Sequence, residues 1–169
     1  MIFKQADVSD AGTIADAMVQ IRENLEDKQL YVIDTKEDIQ YSLDGIHGFG
    51  LLALNEKRLA GYFVFRYPDV NEADHLSVYS QLDDVQKQCV VYMDSVGVLP
   101  EFRGLGIQDR LLKAGEAYLA HTKYSHAFAT VSPDNPASLR NFQKNGYKIL
   151  ATAEKYGGLM RHILYKKLR

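Results

Sequence analysis

Residues 94–112 read DSVGVLPEFRGLGIQDRLL, and no other stretch of this chain limits its fold as tightly. An apolar, strand-like run (Cys89–Val98) meets a proline, then an Arg-Gly-x-Gly turn, then an amphipathic helix. A glycine turn opening a helix aims backbone N–H groups and the positive end of a helix dipole at one small volume. That arrangement suits a phosphate or pyrophosphate. A Rossmann fingerprint needs a third Gly or Ala where this chain has Asp109, and no N-terminal strand feeds such a turn. A P-loop needs Gly-Lys-Ser/Thr, which is absent.

The 169 residues suffice for one domain with a real core, so a single domain over 1–169 is expected. Apolar residues make up 46% and charged residues 25%, the balance of a globular protein. A net charge of −2 gives no reason to expect nucleic acid or a membrane surface as partner. No apolar run has the length of a membrane span, and MIFKQADVSD lacks the features of a signal peptide. The single cysteine, Cys89, fits a reducing compartment. A cytoplasmic protein is the expectation.

Ile2–Ala6 reads as a strand. Ser9 is placed to cap a helix whose apolar stripe is Ala11, Ile14, Ala15, Met18, Ile21 and Leu25. Thr35 with Asp38 forms a capping box opening a helix to about Leu43. Gly50–Leu54 and Leu59–Phe65 read as a hairpin around Asn55–Arg58. Asp69–Lys87 is polar, acidic and irregular: either a lid that attracts a cationic amine or a solvated loop. Val90–Val98 is the central strand, with Gly97 marking a bulge or a ligand's close approach. Ile107, Leu111, Leu112, Gly115, Tyr118 and Leu119 line one face of the next helix. His126–Val131 is a strand. Asp134 or Asn135 caps a helix starting at Pro136, burying Leu139 and Phe142 and stopping at Asn145–Gly146. Tyr147–Ala153 and His162–Leu168 pair around Tyr156-Gly157-Gly158. The order β-α-α-β-β-β-α-β-α-β-β predicts an α/β fold, a mixed central sheet of about six or seven strands with helices on both faces. Exposed edge strands near the C-terminus are compatible with a homodimer.

The Val-x-Pro strand end followed by Arg103, Gly104 and Gly106 resembles the first signature of the GNAT superfamily of acetyl-CoA-dependent N-acetyltransferases. About thirty residues on, VSPDNPASLRNFQKNGYKI is similar to the second: strand, Asn-x-x-Ser/Ala, helix, Gly-aromatic. The resemblance covers nearly the whole chain in element order and is sharpest over residues 90–150. It implies a central strand and a following strand that splay apart, admitting the pantetheine arm of acetyl-CoA against the backbone of Val96, Gly97 and Val98. The pyrophosphate then lies on the N–H groups of Arg103, Gly104, Leu105, Gly106, Ile107 and Gln108. Gln108 stands where the family usually has Gly or Ala, a variant the turn can tolerate if its side chain points away. Asn135 and Ser138 are the further cofactor-side candidates, beside the plainer reading of Asn135 as a helix cap.

The implied chemistry is direct attack of a primary amine, from a small molecule or a peptide, on the thioester in a ternary complex. A base near the operating pH helps. Asp94 is the candidate: family members carry an acidic residue at this place, and alternation sets it on the face of Val96 and Val98. Its plain alternative is an ion pair with a neighbouring Lys or Arg. The family's usual acid, a Tyr seven residues after the signature Asn, is Phe142 here. Another tyrosine (Tyr147 or Tyr156), water, or no catalysis at all are the three outcomes. The last defines the alternative function, a non-catalytic acyl-CoA-binding or sensing module. No metal is expected, since the five histidines and Cys89 lack ligand spacing.

Overall fold

The computed structural model covers residues 1–169. Its elements are β1 (Ile2–Ala6), α1 (Ala11–Glu23), α2 (Lys36–Ser42), β2 (Gly48–Asn55), β3 (Arg58–Arg66), α3 (Asp84–Lys87), β4 (Val90–Val98), α4 (Ile107–Leu119), β5 (His126–Val131), α5 (Pro136–Lys144), β6 (Lys148–Lys155) and β7 (Leu159–Lys167). The strands form one seven-stranded sheet in the order β1-β2-β3-β4-β5-β7-β6. β4 and β5 are parallel, while β1–β2, β2–β3, β5–β7 and β6–β7 pair antiparallel. The mixed α/β sheet of the sequence reading is therefore present.

The chain packs as two compact units, Met1–Tyr67 with Asp94–Ala117, and Pro68–Met93 with Tyr118–Arg169. In the first, α1 buries Ala11, Ile14, Ala17, Met18 and Ile21, a 3.6-residue stripe. Phe49, Phe63 and Phe65 stack across β2 and β3, with Phe65 4.3 Å from Phe49 and 4.4 Å from Phe63. Ile107, Leu111 and Leu112 of α4 are buried in the same unit. In the second, Leu76, Val90, Tyr92, Phe128 and Ile163 make the core. The β4–β5 ladder runs from Val90↔His126 to Tyr92↔Phe128, and β4 itself continues to Val98.

Local signals mark most boundaries. Thr35 caps α2 and closes the capping box with Asp38 as expected. Asn135, not Asp134, caps α5, accepting a hydrogen bond from the Ser138 N–H at 3.2 Å. Tyr156, Gly157 and Gly158 all have positive φ and turn β6 into β7.

Three expectations change. Ser9 does not cap α1: Asp7 accepts from the Ser9 N–H and caps a 3-10 turn, Val8–Asp10, that leads into the helix. The Ser9 hydroxyl itself donates to Asp7 Oδ1. Tyr118 is exposed, because α4 turns its last-turn ring off the buried stripe. The segment Asp69–Lys87 is not irregular throughout. It holds a 3-10 turn at Leu76–Tyr79 and the short helix α3, so α3 is added to the element order between β3 and β4. Leu76, His75 and Ser77 are buried, and the Leu76 N–H donates to the Tyr92 hydroxyl at 2.7 Å. Asp83 caps α3 and Asp84 pairs with Lys87, so local bonds engage these two of the segment's five acids.

Candidate active site

β4 ends where the Leu99 N–H bonds the Ala60 carbonyl at 2.9 Å, fixing the strand end to β3. Pro100–Phe102 then make a 3-10 turn, with Phe102 buried beneath it and Arg58 paired to Glu101 at 2.7 Å. The Arg103 N–H is used within this turn, on the Pro100 carbonyl. Gly104 and Gly106 follow with φ of +80° and +69°. Both sit in the left-handed region that glycine occupies without strain. A Cβ at either would meet nothing within 4 Å, so the turn presents open backbone just before the first turn of α4. A concave run of amides at a helix N-terminus fits an acetyl-CoA pyrophosphate without a metal. No group of three His, Cys, Asp or Glu side chains is close enough together to hold one.

Along β4 the exposure alternates as the period of two requires. Asp94 is exposed, Ser95 and Gly97 are buried, and Val96 and Val98 are half-buried. Gly97 is a packing residue on its buried side. A Cβ there would lie 2.5 Å from Ile21 and 2.7 Å from the Tyr62 ring.

Asp94 is not alone. The Arg66 Nε lies 3.5 Å from its Oδ1, a long ion pair with both side chains about a quarter exposed. Near it stands a second carboxylate that the sequence reading missed, Asp34, in the loop between α1 and α2. Its backbone N–H points to the Met18 sulfur at 3.5 Å. Burial first, then the charges of Asp94 and Asp38, push the Asp34 carboxyl up to about 6, against the opposing pull of Arg66. The Tyr31 hydroxyl is covered from solvent, with the Ser95 side chain as its polar neighbour. It stands near Ser95 and Asp34, and burial raises its pKa. On β3, the Tyr62 hydroxyl lies 3.4 Å from Ser95 Oγ. The available signal for Asp34 was an acid closing the apolar stretch YVID, directly before the Thr35 cap.

The second unit holds the remaining candidates. Phe142 is buried, edge-on to Tyr147 at 5.0 Å. Tyr147 is itself buried, with Lys166 over its ring, so packing occupies it. Tyr156 is exposed, and its hydroxyl shares a 2.8 Å hydrogen bond with Thr130. Asn135 spends its side-chain oxygen on the α5 cap, and Ser138 supplies the N–H. No helix is long and apolar enough to cross a membrane.

Comparison with known proteins agrees with this geometry. The model of the acetyltransferase (GNAT) family matches residues 17–147. No curated protein sequence matches the chain. Among solved structures, NAA60 of Arabidopsis thaliana in complex with acetyl-CoA superposes with a TM-score of 0.76 at 15% identity, over 98% of each chain. yncA of Salmonella typhimurium, solved with its cofactor acetyl-CoA, gives 0.73 at 18% identity, over 100% of this chain and 94% of that one. The ribosomal-protein-alanine N-acetyltransferase of Brucella melitensis gives 0.71 at 18%, over 99% of each. At such identities the superpositions establish the fold. The family model covers most of the chain, including the glycine turn and the Asn135 helix, and on that match the chain belongs to the acetyltransferase (GNAT) family.

Proposed function

We propose that the two units act together as one acetyltransferase domain, 1–169, that acetylates a primary amine by direct attack on acetyl-CoA. The observation that carries the cofactor half is the open, positive-φ turn at Gly104 and Gly106 at the N-terminus of α4. In this reading Gly104, Leu105, Gly106, Ile107 and Gln108 offer amides to the pyrophosphate, and Arg103 offers its guanidinium, since its N–H closes the preceding turn. The β4 backbone at Val96, Gly97 and Val98, beyond the part paired with β5, receives the pantetheine. Asn135 and Ser138 serve as the further cofactor-side contacts. When bound, acetyl-CoA supplies an activated thioester.

Asp94 then attracts the acceptor ammonium and serves as the base, directly or through water. Its exposure beside Val96 and Val98 supports this, since β4 carries no other acid. With Phe142 unable to donate a proton and Tyr147 packed, water or the Tyr156 hydroxyl protonates the leaving thiolate. Asp94→Asn is expected to lower turnover about tenfold or more while leaving acetyl-CoA affinity unchanged. Thiol release across a set of primary amines and calorimetric titration with acetyl-CoA measure the two. Unchanged turnover removes Asp94 from the mechanism. Binding without release from any amine would leave only an acyl-CoA-binding module. Gly106→Ala gives the converse: about 1 kcal/mol of left-handed strain and weaker acetyl-CoA binding.

The protein is read as cytoplasmic, from its single Cys89. A homodimer is read from the edge position of β6, where Ile149 and Leu150 are exposed. Sedimentation measures the mass.

A further inference from the structure

Charge is divided along this chain in a way that its net value of −2 conceals. Residues 1–117 carry eleven Lys and Arg against twenty Asp and Glu, whereas residues 118–169 carry nine against two. The fold gathers most of the nine at one end of the second unit, where β5 and β6 begin and β7 ends. His126 opens β5 opposite Lys167, and Lys148 opens β6 opposite Tyr165. Lys166 lies 5.5 Å over the Tyr147 ring and against the Gly146 turn, which follows Lys144 at the end of α5. α4 ends at the same place. Arg169 donates there to the carbonyls of Leu119, Thr122 and Tyr124, and Lys123 lies 5.3 Å over the Tyr124 ring. Of these six cations all but the half-buried Lys166 are exposed. The two acids of residues 118–169 lie elsewhere, Asp134 just before α5 and Glu154 beside the β6–β7 turn. Over the whole second unit the count is ten against seven, because the segment before β4 adds five acids and Lys87. Of those five, Asp84 is paired with Lys87, and Asp83 caps α3 and is the acid whose charge reaches His126.

Helix ends account for part of this arrangement. A cation in the last turn of a helix answers the negative end of its dipole. Lys144 does so for α5 and Arg169 for α4. Lys123, Lys148, Lys166 and Lys167 exceed that need. Like charges gathered within about one Debye length, ~10 Å, repel one another unless an anion shares the surface. The make-up of the patch favours phosphate over carboxylate. Its one guanidinium is spent on backbone carbonyls, which leaves no planar fork for a carboxylate. The others are lysines, which meet phosphate as point charges.

We propose that this basic end of the second unit is a docking surface for the phosphate backbone of single-stranded RNA, held by Lys123, Lys144, Lys148, Lys166 and Lys167. Charge segregated to one part of a chain is the footprint of a polyanion-binding protein. The cations are spread over the ends of two helices and three strands, a course that a flexible strand follows more readily than a rigid duplex. Flexible lysine stems read charge and not base identity, so binding is expected without sequence preference. Asn135 and Ser138 stand beyond the other end of β5, so RNA on the basic end leaves these cofactor-side contacts clear. The proposal is independent of the acetyltransferase reading.

Fluorescence anisotropy of the whole chain with a labelled oligouridine of about 20 nucleotides tests this. Five phosphate contacts to a single strand give a slope of about −3.5 in log K against log salt, a loss of roughly a hundredfold between 50 and 200 mM. The triple variant Lys144→Glu, Lys148→Glu, Lys167→Glu alters exposed residues only. It is expected to lower RNA affinity at low salt by about thirtyfold or more and to reduce the slope by about 2. Its acetyl-CoA affinity should match that of the wild type, which also reports a folded chain. If the reversals unfold the protein, the neutral pair Lys144→Gln, Lys148→Gln should still reduce the slope by about 1.4. Lys57→Glu, an exposed change in the β2–β3 turn, should leave RNA binding as it is. No binding by the wild type at low salt, a slope near zero, or wild-type affinity in the lysine variants overturns the proposal. Tighter binding to phosphatidylglycerol vesicles than to the oligouridine also overturns it and assigns the surface to a membrane, for which Ile149 and Leu150 beside Lys148 would supply exposed apolar contacts. Polyglutamate competing as well as RNA at equal charge overturns it in favour of an acidic protein. Loss of RNA binding with acetyl-CoA binding retained leaves the transferase reading untouched.

Discussion

Asp34→Asn is expected to make the protein more stable at neutral pH. Burial, with the charges of Asp94 and Asp38, pushes the Asp34 carboxyl of the folded chain up to about 6 from its ordinary 3.8. Its folded-state proton affinity is raised, so the folded state favours the neutral acid. Below 3.8 the group is protonated in both states and costs nothing. Between 3.8 and 6 the unfolded chain ionises first, and stability falls as pH rises. Above 6 the full cost is present. The shift is close to 2 units, which sets a ceiling of about 3 kcal/mol at 1.36 kcal/mol per unit. A neutral isostere removes this cost, and a gain of about 1–3 kcal/mol follows. In a chain of this size that raises Tm by several degrees. Denaturant unfolding at several pH values provides the test. The wild-type and Asn curves should converge in acid and separate above pH 6. A variant no more stable than wild type at neutral pH would mean Asp34 is not held ionised against burial.

Gly115→Ala is expected to destabilise the fold by about 3 kcal/mol, lowering Tm by about 6–12 °C. Helix propensity alone argues the opposite, since Ala in a helix interior is favoured over Gly by about 1 kcal/mol. The sign is set by Phe65. A Cβ at position 115 would lie 2.1 Å from its Cζ and 2.5 Å from its Cε1. That ring is stacked between Phe49 and Phe63 and has nowhere to go. Either α4 must lift from β3 or the three-ring stack must open. A partial restoration by Phe65→Leu in the Gly115→Ala background would identify the clash as the cause. An Ala variant as stable as wild type would show that α4 can shift at no cost. Since α4 begins at the glycine turn, a lifted helix should also weaken acetyl-CoA binding.

The legible parts of this protein are those whose cause lies within a few residues. The Thr35–Asp38 box, the Asn135 cap with Pro136, and the Gly146 stop each act through bonds to the next turn of backbone, and each stands where expected. The Ser9 cap failed because Asp7 takes both the N–H and the hydroxyl of Ser9 into its own 3-10 cap. Asp69–Lys87 looked irregular because its ordering contacts are remote. Leu76 is held by Tyr92 of β4, and no local pattern announces that. Asp94 was found because alternation along one strand exposes it beside Val96. Its partners were not, because Arg66 and Asp34 reach it through sheet pairing and loop placement.

By itself, the sequence determined the order of the strands and of the four longer helices, the glycine turn opening α4, and the acid on the central strand. These depend on short-range periodicity, capping and glycine's backbone freedom. Only the tertiary structure decided which charges share a site and what Gly115 is for. Electrostatic partnership and close packing depend on distances in space, and the chain brings Asp34, Arg66 and Asp94 together, and Phe65 against α4, only when the sheet forms.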